Sequence, residues 1–333
     1  MFWKDRVKNI SVVCQGAVEH PVTKECLVAL RNVFPKAELI LSTWTGTDIS
    51  GLPYDKVVFS SDPGAVYCDT VTQTLNNVNR QLVSTQAGLI AATRPYILKT
   101  RTDILFQDAE FLSYFAKYDR VPSANFQNRL LICNYYTRNP RVFSTCFHPS
   151  DWIVFGRAED VRGYYAGTPL MTAEEGVWFH SRCKQSTFFT NYISRFTPEQ
   201  HIFLGFLRQH RPVACDCYYD RTPALVKETE RAFAECFVVL DYGKQLPITF
   251  TKYNPNRYLE RGTLISHWQW KALYRHYCRG GFSPLWPIYL LHAARRRTLT
   301  GIRTRCIRCL DRLGWKEAVK GILSKLSAGR AER

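Results

Sequence analysis

A chain of 333 residues with 46% hydrophobic and 14% aromatic content can bury a large core, which excludes a disordered or low-complexity protein. Its 45 Lys and Arg against 28 Asp and Glu give a net charge of +17, which favours phosphate-rich partners: nucleic acid, anionic lipid or a sugar nucleotide. The most apolar late stretch, Phe282 to Ala294, falls short of the ~20 residues of a bilayer crossing and carries two prolines.

At the N-terminus, Met1 to Asn9 is charged and Ile10 to Cys14 is too short for a leader, so a cytoplasmic location is expected. The twelve cysteines then read as thiols rather than a disulfide framework. Cys306 with Cys309 and Cys215 with Cys217 are closely spaced pairs. Neither has the second pair that a zinc site needs nearby.

Strand and helix signals alternate along the first hundred residues. "NISVVCQG" (Asn9 to Gly16) reads as a strand, "TKECLVALRNVF" (Thr23 to Phe34) as a helix, "AELILST" (Ala37 to Thr43) and "KVVFSSD" (Lys56 to Asp62) as strands. A long helix is expected next, because Val71, Leu75, Val78, Leu82 and Leu89 are spaced as one apolar stripe. "YILKTR" (Tyr96 to Arg101) is a fourth strand. This alternation implies a Rossmann-like α/β fold with a mostly parallel sheet covered on both faces. In such sheets ligands gather beyond the carboxyl ends of the strands, here at Gln15-Gly16-Ala17, Ser42-Thr43-Trp44, Ser60-Ser61-Asp62 and Arg101-Thr102-Asp103. No GxGxxG and no Walker loop follows the first strand, which argues against a dinucleotide enzyme or a kinase.

Further along, "RLLICNYYT" (Arg129 to Thr137) and "SDWIVFGR" (Ser150 to Arg157) read as strands, and "EDVRGYYAG" as the start of a helix. "TPEQHIFLGFLRQH" (Thr197 to His210) is the clearest helix, with Thr197 as N-cap, Pro198 at the first position and Gln200 closing a capping box. From about Gly280 the composition shifts. Residues 295–333 hold twelve cations against three acids, a net +9. The expected organisation is a catalytic domain over residues 1–215, its acceptor-side continuation over 216–280, and a basic amphipathic tail over 281–333.

Several polar residues sit where chemistry is expected. Asp103 ends a strand, which suits either a turn or a ligand; Thr102 and Arg101 beside it offer a hydroxyl and a phosphate-binding fork. A carboxylate beside a diphosphate usually acts through a divalent ion. Glu199, in the first turn of its helix, complements the helix dipole or, sharing a stripe with Ile202 and Phe203, faces a cavity as a general base. Glu175 is explained by a capping box from Thr172, and Glu174 is a weaker candidate. Asp151, next to Trp152, either caps a turn or binds an acceptor hydroxyl beside an aromatic platform. Asn76, Arg80 and Ser84, four apart, form either a solvated helix face or a side on which Arg80 meets a phosphate.

Seven stretches in order, "VVCQG", "FPKAELILSTW", "SSDPG", "NNVNRQLVST", "LKTRTDILF", "FHPSDWIVFG" and "TPEQHIFLGFL", resemble the WavE lipopolysaccharide synthesis family, bacterial enzymes regarded as glycosyltransferases with a GT-A-like fold. The resemblance implies a nucleotide-sugar donor, a lipid-linked surface-glycan acceptor and a Mg²⁺ or Mn²⁺ ion. It puts "RTD" (Arg101 to Asp103) in the place of the GT-A metal motif, with Arg101 standing where the first acid would be and able to neutralise the diphosphate itself. It also places Glu199 where inverting enzymes carry their base, and His267 either as a late metal ligand or as a core or surface histidine. With a donor bound at the strand ends, Gln15, Gly16 and Asp62 are expected to border its nucleotide. The basic tail is expected to lie on an anionic membrane surface, giving a peripheral location on the inner face of the cell membrane. Two rivals are a sugar nucleotidyltransferase, which lacks its Gly-rich loop here, and a basic nucleic-acid-binding protein, which lacks any recognised motif.

Overall fold

The computed structural model describes residues 7–69, 73–118, 127–182, 193–252, 261–280 and 283–313, together with Trp315. In chain order the elements are β1 (Ile10–Gln15), α1 (Val22–Val33), β2 (Glu38–Trp44), β3 (Lys56–Ser60), β4 (Val66–Asp69), β5 (Thr74–Asn76), α2 (Val78–Ala91), β6 (Tyr96–Arg101) and β7 (Ile104–Phe106). There follow α3 (Leu112–Tyr118), β8 (Leu130–Cys133), β9 (Val154–Arg157), α4 (Ala158–Tyr165), α5 (Ala173–Gly176), α6 (Trp178–Arg182) and α7 (Pro198–His210). The chain ends with α8 (Pro223–Cys236), β10 (Phe237–Leu240), β11 (Ile248–Phe250), α9 (His267–Tyr274) and α10 (Leu285–Arg312).

Seven strands form one mixed sheet in the order β10-β8-β9-β6-β1-β2-β3. β9 runs antiparallel to both neighbours, so β10, β8, β6, β1, β2 and β3 point their carboxyl ends to one edge. The central strands are buried on both faces, which is why β1 and β2 read as continuous β-branched and leucine runs rather than alternating ones. The chain builds β1, β2 and β3 outwards in one direction, then returns to place β6 on the other side of β1. The gap between the ends of β1 and β6 is therefore the topological switch point, where an open α/β sheet leaves a crevice.

The long helix expected after the third strand is shorter. β4 and β5 form an antiparallel hairpin there, Leu75 lies exposed in β5, and α2 begins only at Val78; Val71 lies outside the described residues. Three- and four-residue spacings satisfied a hairpin followed by a helix as well as one helix. Asn76 accordingly belongs to a strand: its side-chain carbonyl accepts from the Val78 amide and its amide group donates to Ser194 Oγ, so it is not part of a polar helix face with Arg80 and Ser84. α2 lies close on the sheet because Gly88 has no side chain; a Cβ there would come within 2.4 Å of Val13.

The strand read over Arg129 to Thr137 stops at Cys133, because Tyr136 takes a left-handed φ of +67° and turns the chain away from the sheet. The tail boundary also moves. Tyr289 is fully buried and donates to Glu230 at 2.6 Å, and Ala293 is buried as well, so the first turns of α10 are part of the folded body. From Ala294 onward the described side chains are exposed apart from Thr300, which is half-buried. Among the described residues no helix is long and apolar enough to cross a membrane.

Candidate active site

At the switch point the backbone is built by hydrogen bonds between the ends of β1 and β6. The Thr102 amide donates to the Gln15 carbonyl and the Thr102 hydroxyl donates to the Ala17 carbonyl at 2.7 Å. Gly16 has φ +129°, and a Cβ there would stand 3.2 Å from Thr102 Oγ1, so both conformation and space demand glycine. The Gln15 side chain is fixed from above: its carbonyl accepts from Ser84 of α2 at 2.7 Å. Ser84 thus faces the sheet rather than solvent.

Arg101 and Asp103 meet directly. The Arg101 Nε and one terminal nitrogen donate to the two oxygens of Asp103 at 2.8 and 2.7 Å, a bidentate pair across the turn into β7. Burial pushes the Asp103 carboxyl up, but the Arg101 hydrogen bonds and charge, with help from Lys252, outweigh it and hold the carboxyl below its ordinary value. The Arg101 guanidinium also covers the Trp152 ring at 4.4 Å. Trp152 stacks on Tyr136 at 5.3 Å, and Arg138 covers the Tyr136 ring at 5.2 Å, giving two stacked rings with a cation at each end.

Behind this column lies a buried charged cluster. Lys99 of β6 is fully buried and Asp151, three residues ahead of β9, is 1% exposed. The Lys99 ammonium donates to the Asp151 backbone carbonyl, while Asp151 Oδ2 has no hydrogen-bond partner. Burial raises the Asp151 carboxyl to about 6; Lys99 opposes the shift and Glu199 adds to it. Burial likewise lowers the Lys99 ammonium to about 8. Glu199, in the first turn of α7, is buried and its carboxyl is raised for the same reason. His148 Nε2 stands 3.7 Å from Glu199, too far for a hydrogen bond. It is not an ionic partner either, since burial and the Arg138 charge lower His148 to about 3. Its Nδ1 donates to the Tyr136 carbonyl at 2.9 Å, and both Tyr136 and Phe147 sit at positive φ on either side of it. Bulky residues in that region cost on the order of 1–3 kcal/mol each and collect at functional sites.

Gln15, Gly16, Arg101, Asp103, Asp151 and Glu199 thus lie together around the ends of β1 and β6. Glu199 is placed by sequence-local chemistry: Thr197 and Gln200 form the reciprocal capping box, with Pro198 in the first turn. Asp62 and Arg80 also meet, but each other, through a bidentate pair at 2.8 Å on the exposed β3 edge, two strands from β1. Glu174 and Glu175 pair with Arg182 and Arg195 away from the cluster.

The metal assignments need correction. His267 lies at the end of β10, three strands or ~14 Å from β6. Its Nδ1 donates to the Val239 carbonyl at 2.8 Å and its ring packs against Trp270, Tyr114 and Tyr118, so it is a core histidine. Asp103 has both oxygens engaged by Arg101, and among the described residues no three His, Cys, Asp or Glu side chains are grouped to hold an ion. The donor set does not fit a protein-held divalent cation. The eleven described cysteines, Cys215, Cys217, Cys306 and Cys309 among them, are free.

Lys99, His148 and Arg138 were not singled out from the sequence. Lys99 had a signal: a cation amid the buried positions of "YILKTR" must be neutralised or used. Compared with known families, the chain matches the family model described as WavE lipopolysaccharide synthesis over residues 10–302, which spans every strand of the sheet. No curated protein matches the chain.

Proposed function

The chain belongs to the WavE lipopolysaccharide synthesis family, and from that premise we propose that it transfers a sugar from a nucleotide-diphosphate donor to a hydroxyl of a lipid-linked surface glycan. Family membership places it in lipopolysaccharide biosynthesis. The GT-A assignment is supported by the seven-stranded, mostly parallel sheet and by the cluster at its switch point.

The observation that carries the reading is the unpartnered Oδ2 of a buried Asp151 whose carboxyl stands near 6. A base titrating close to neutrality and lacking a partner is matched to an acceptor hydroxyl. The sequence assigned that part to Glu199 and a supporting one to Asp151; the geometry favours the exchange of roles. Asp151 takes the acceptor proton, and Glu199 raises its basicity through charge. The acceptor C–O bond forms at the anomeric carbon as the bond to the diphosphate breaks. Arg101 neutralises the departing charge. Gln15 and Gly16 border the nucleotide at the end of β1, with the Asp62 and Arg80 pair farther along the same rim.

The tail reading also takes a definite form. In α10, Ile288, Leu291, Leu299, Ile302, Cys306 and Cys309 are exposed and fall on one line at three- and four-residue spacing, interrupted by Arg295. At 3.6 residues per turn this line faces away from the docked Tyr289 and Ala293. Arg296, Arg297, Arg305 and Arg312 are exposed on the same helix. We assign this stripe to the surface of an anionic membrane, where a lipid-linked acceptor is found.

The direct test is release of nucleoside diphosphate from a panel of nucleotide sugars in the presence of truncated lipopolysaccharide acceptors. Acceptor-dependent release by the native protein, lost in Asp151→Asn, supports the reading. Wild-type turnover by a folded Asp151→Asn would sink it.

A further inference from the structure

A cavity of about 480 Å³ opens on the β10 side of the molecule, away from the switch point. Lys117 of α3, Lys271 of α9, and Arg275 and Arg279 of the π-helical turn that continues α9 all line it. Among the described residues no acid lines it and none of these four cations is in an ion pair. Ser283, just ahead of α10, forms part of the wall. It is 6% exposed and its hydroxyl has no hydrogen-bond partner. Arg279 is positioned by donating from Nε to the Tyr274 hydroxyl at 2.8 Å, which leaves its other nitrogens to serve the cavity.

Four like charges around one concavity repel each other, and a buried hydroxyl without a partner has lost its hydration without compensation. Both deficits are removed by a single oxyanion that accepts from the cations and from Ser283. Arginine forks match phosphate oxygens in geometry as well as charge. The imbalance is felt nearby: after burial, the charges of Lys271 and Lys117 help to lower the His267 imidazole.

We propose that this cavity is a binding site for a phosphate group, separate from the catalytic cluster, carried either by an anionic lipid headgroup or by a free phosphorylated saccharide. The site lies at the root of α10, the helix assigned to the membrane surface, but the inference does not rest on the transferase reading.

The test compares the native protein with Lys271→Gln/Arg275→Gln and with Ser283→Ala in two arms. Calorimetric titration with inorganic pyrophosphate reads the free phosphate, and flotation with phosphatidylcholine vesicles, with and without phosphatidylglycerol, reads the headgroup. The double variant is expected to bind about tenfold more weakly in at least one arm, with Ser283→Ala intermediate and both thermal midpoints unchanged without ligand. The arm that moves identifies the source. Equal binding by native and double-variant protein in both arms overturns the proposal, since any phosphate then binds elsewhere. Nucleotide binding at the switch point serves as an internal control, expected to be the same in all three proteins.

Discussion

Lys99 donates its ammonium hydrogen to the backbone carbonyl of Asp151 and not to the Asp151 carboxylate. The lysine thereby positions the acid and lowers its electrostatic cost while leaving Oδ2 open. An ion pair between the two side chains would have consumed the oxygen on which the proposed reaction depends.

Replacing Asp151 with Asn is expected to cut turnover by about 10²–10⁴-fold, the usual contribution of a general base. Stability should move the other way. The Asp151 carboxyl is raised from 3.8 to about 6, so the folded state disfavours its ionisation and native stability falls as pH rises through that interval. Asp151→Asn removes the fall, for a gain of up to about 3 kcal/mol at neutral pH and little at pH 4. Thermal melts at the two pH values check the sign.

Glu199→Gln separates the two acids. Because the Glu199 charge helps to raise Asp151, its removal should shift the acidic limb of the pH–rate profile downward while the maximal rate falls less than in Asp151→Asn. If Glu199 itself were the base, that limb would vanish with the activity.

Asp103→Asn breaks a pair whose acid is almost fully buried. A loss of about 1–3 kcal/mol is expected at neutral pH. Since Asp103 titrates below its ordinary 3.8 in the fold, its contribution is present above that value and disappears as acid protonates it. The difference between native and variant protein should therefore shrink in denaturant titrations at low pH.

Excess EDTA should leave turnover unchanged, because Arg101 already occupies both oxygens of the only acid in the "RTD" motif. Loss of activity on chelation, restored by Mn²⁺, would show that an ion displaces Arg101.

Deletion of residues 295–333 should release the protein from anionic vesicles without unfolding it. A cut at Gly280 would also remove Tyr289 from its buried bond with Glu230, so it would disturb the folded body as well. Continued sedimentation of the shorter chain with membranes would refute the role given to α10.

Local chemistry was legible wherever it decided the structure. Thr197, Pro198 and Gln200 announced the start of α7 because a capping box needs only neighbours along the chain. The alternation of apolar runs announced the sheet, and the sheet's carboxyl edge located Gln15, Gly16, Arg101 and Asp103. The hairpin of β4 and β5 stayed hidden because its apolar spacing imitates a helix.

The sequence by itself determined the α/β class, the strand ends that carry the site and the family. Only the tertiary structure decided what each charge is for. Asp103 answers to Arg101, Asp62 to Arg80, and His267 to a backbone carbonyl, while Asp151 keeps one unpartnered oxygen beside a buried lysine. A residue type states which protons and charges are available, but pKa and partnership come from burial and from neighbours that three-dimensional packing brings together.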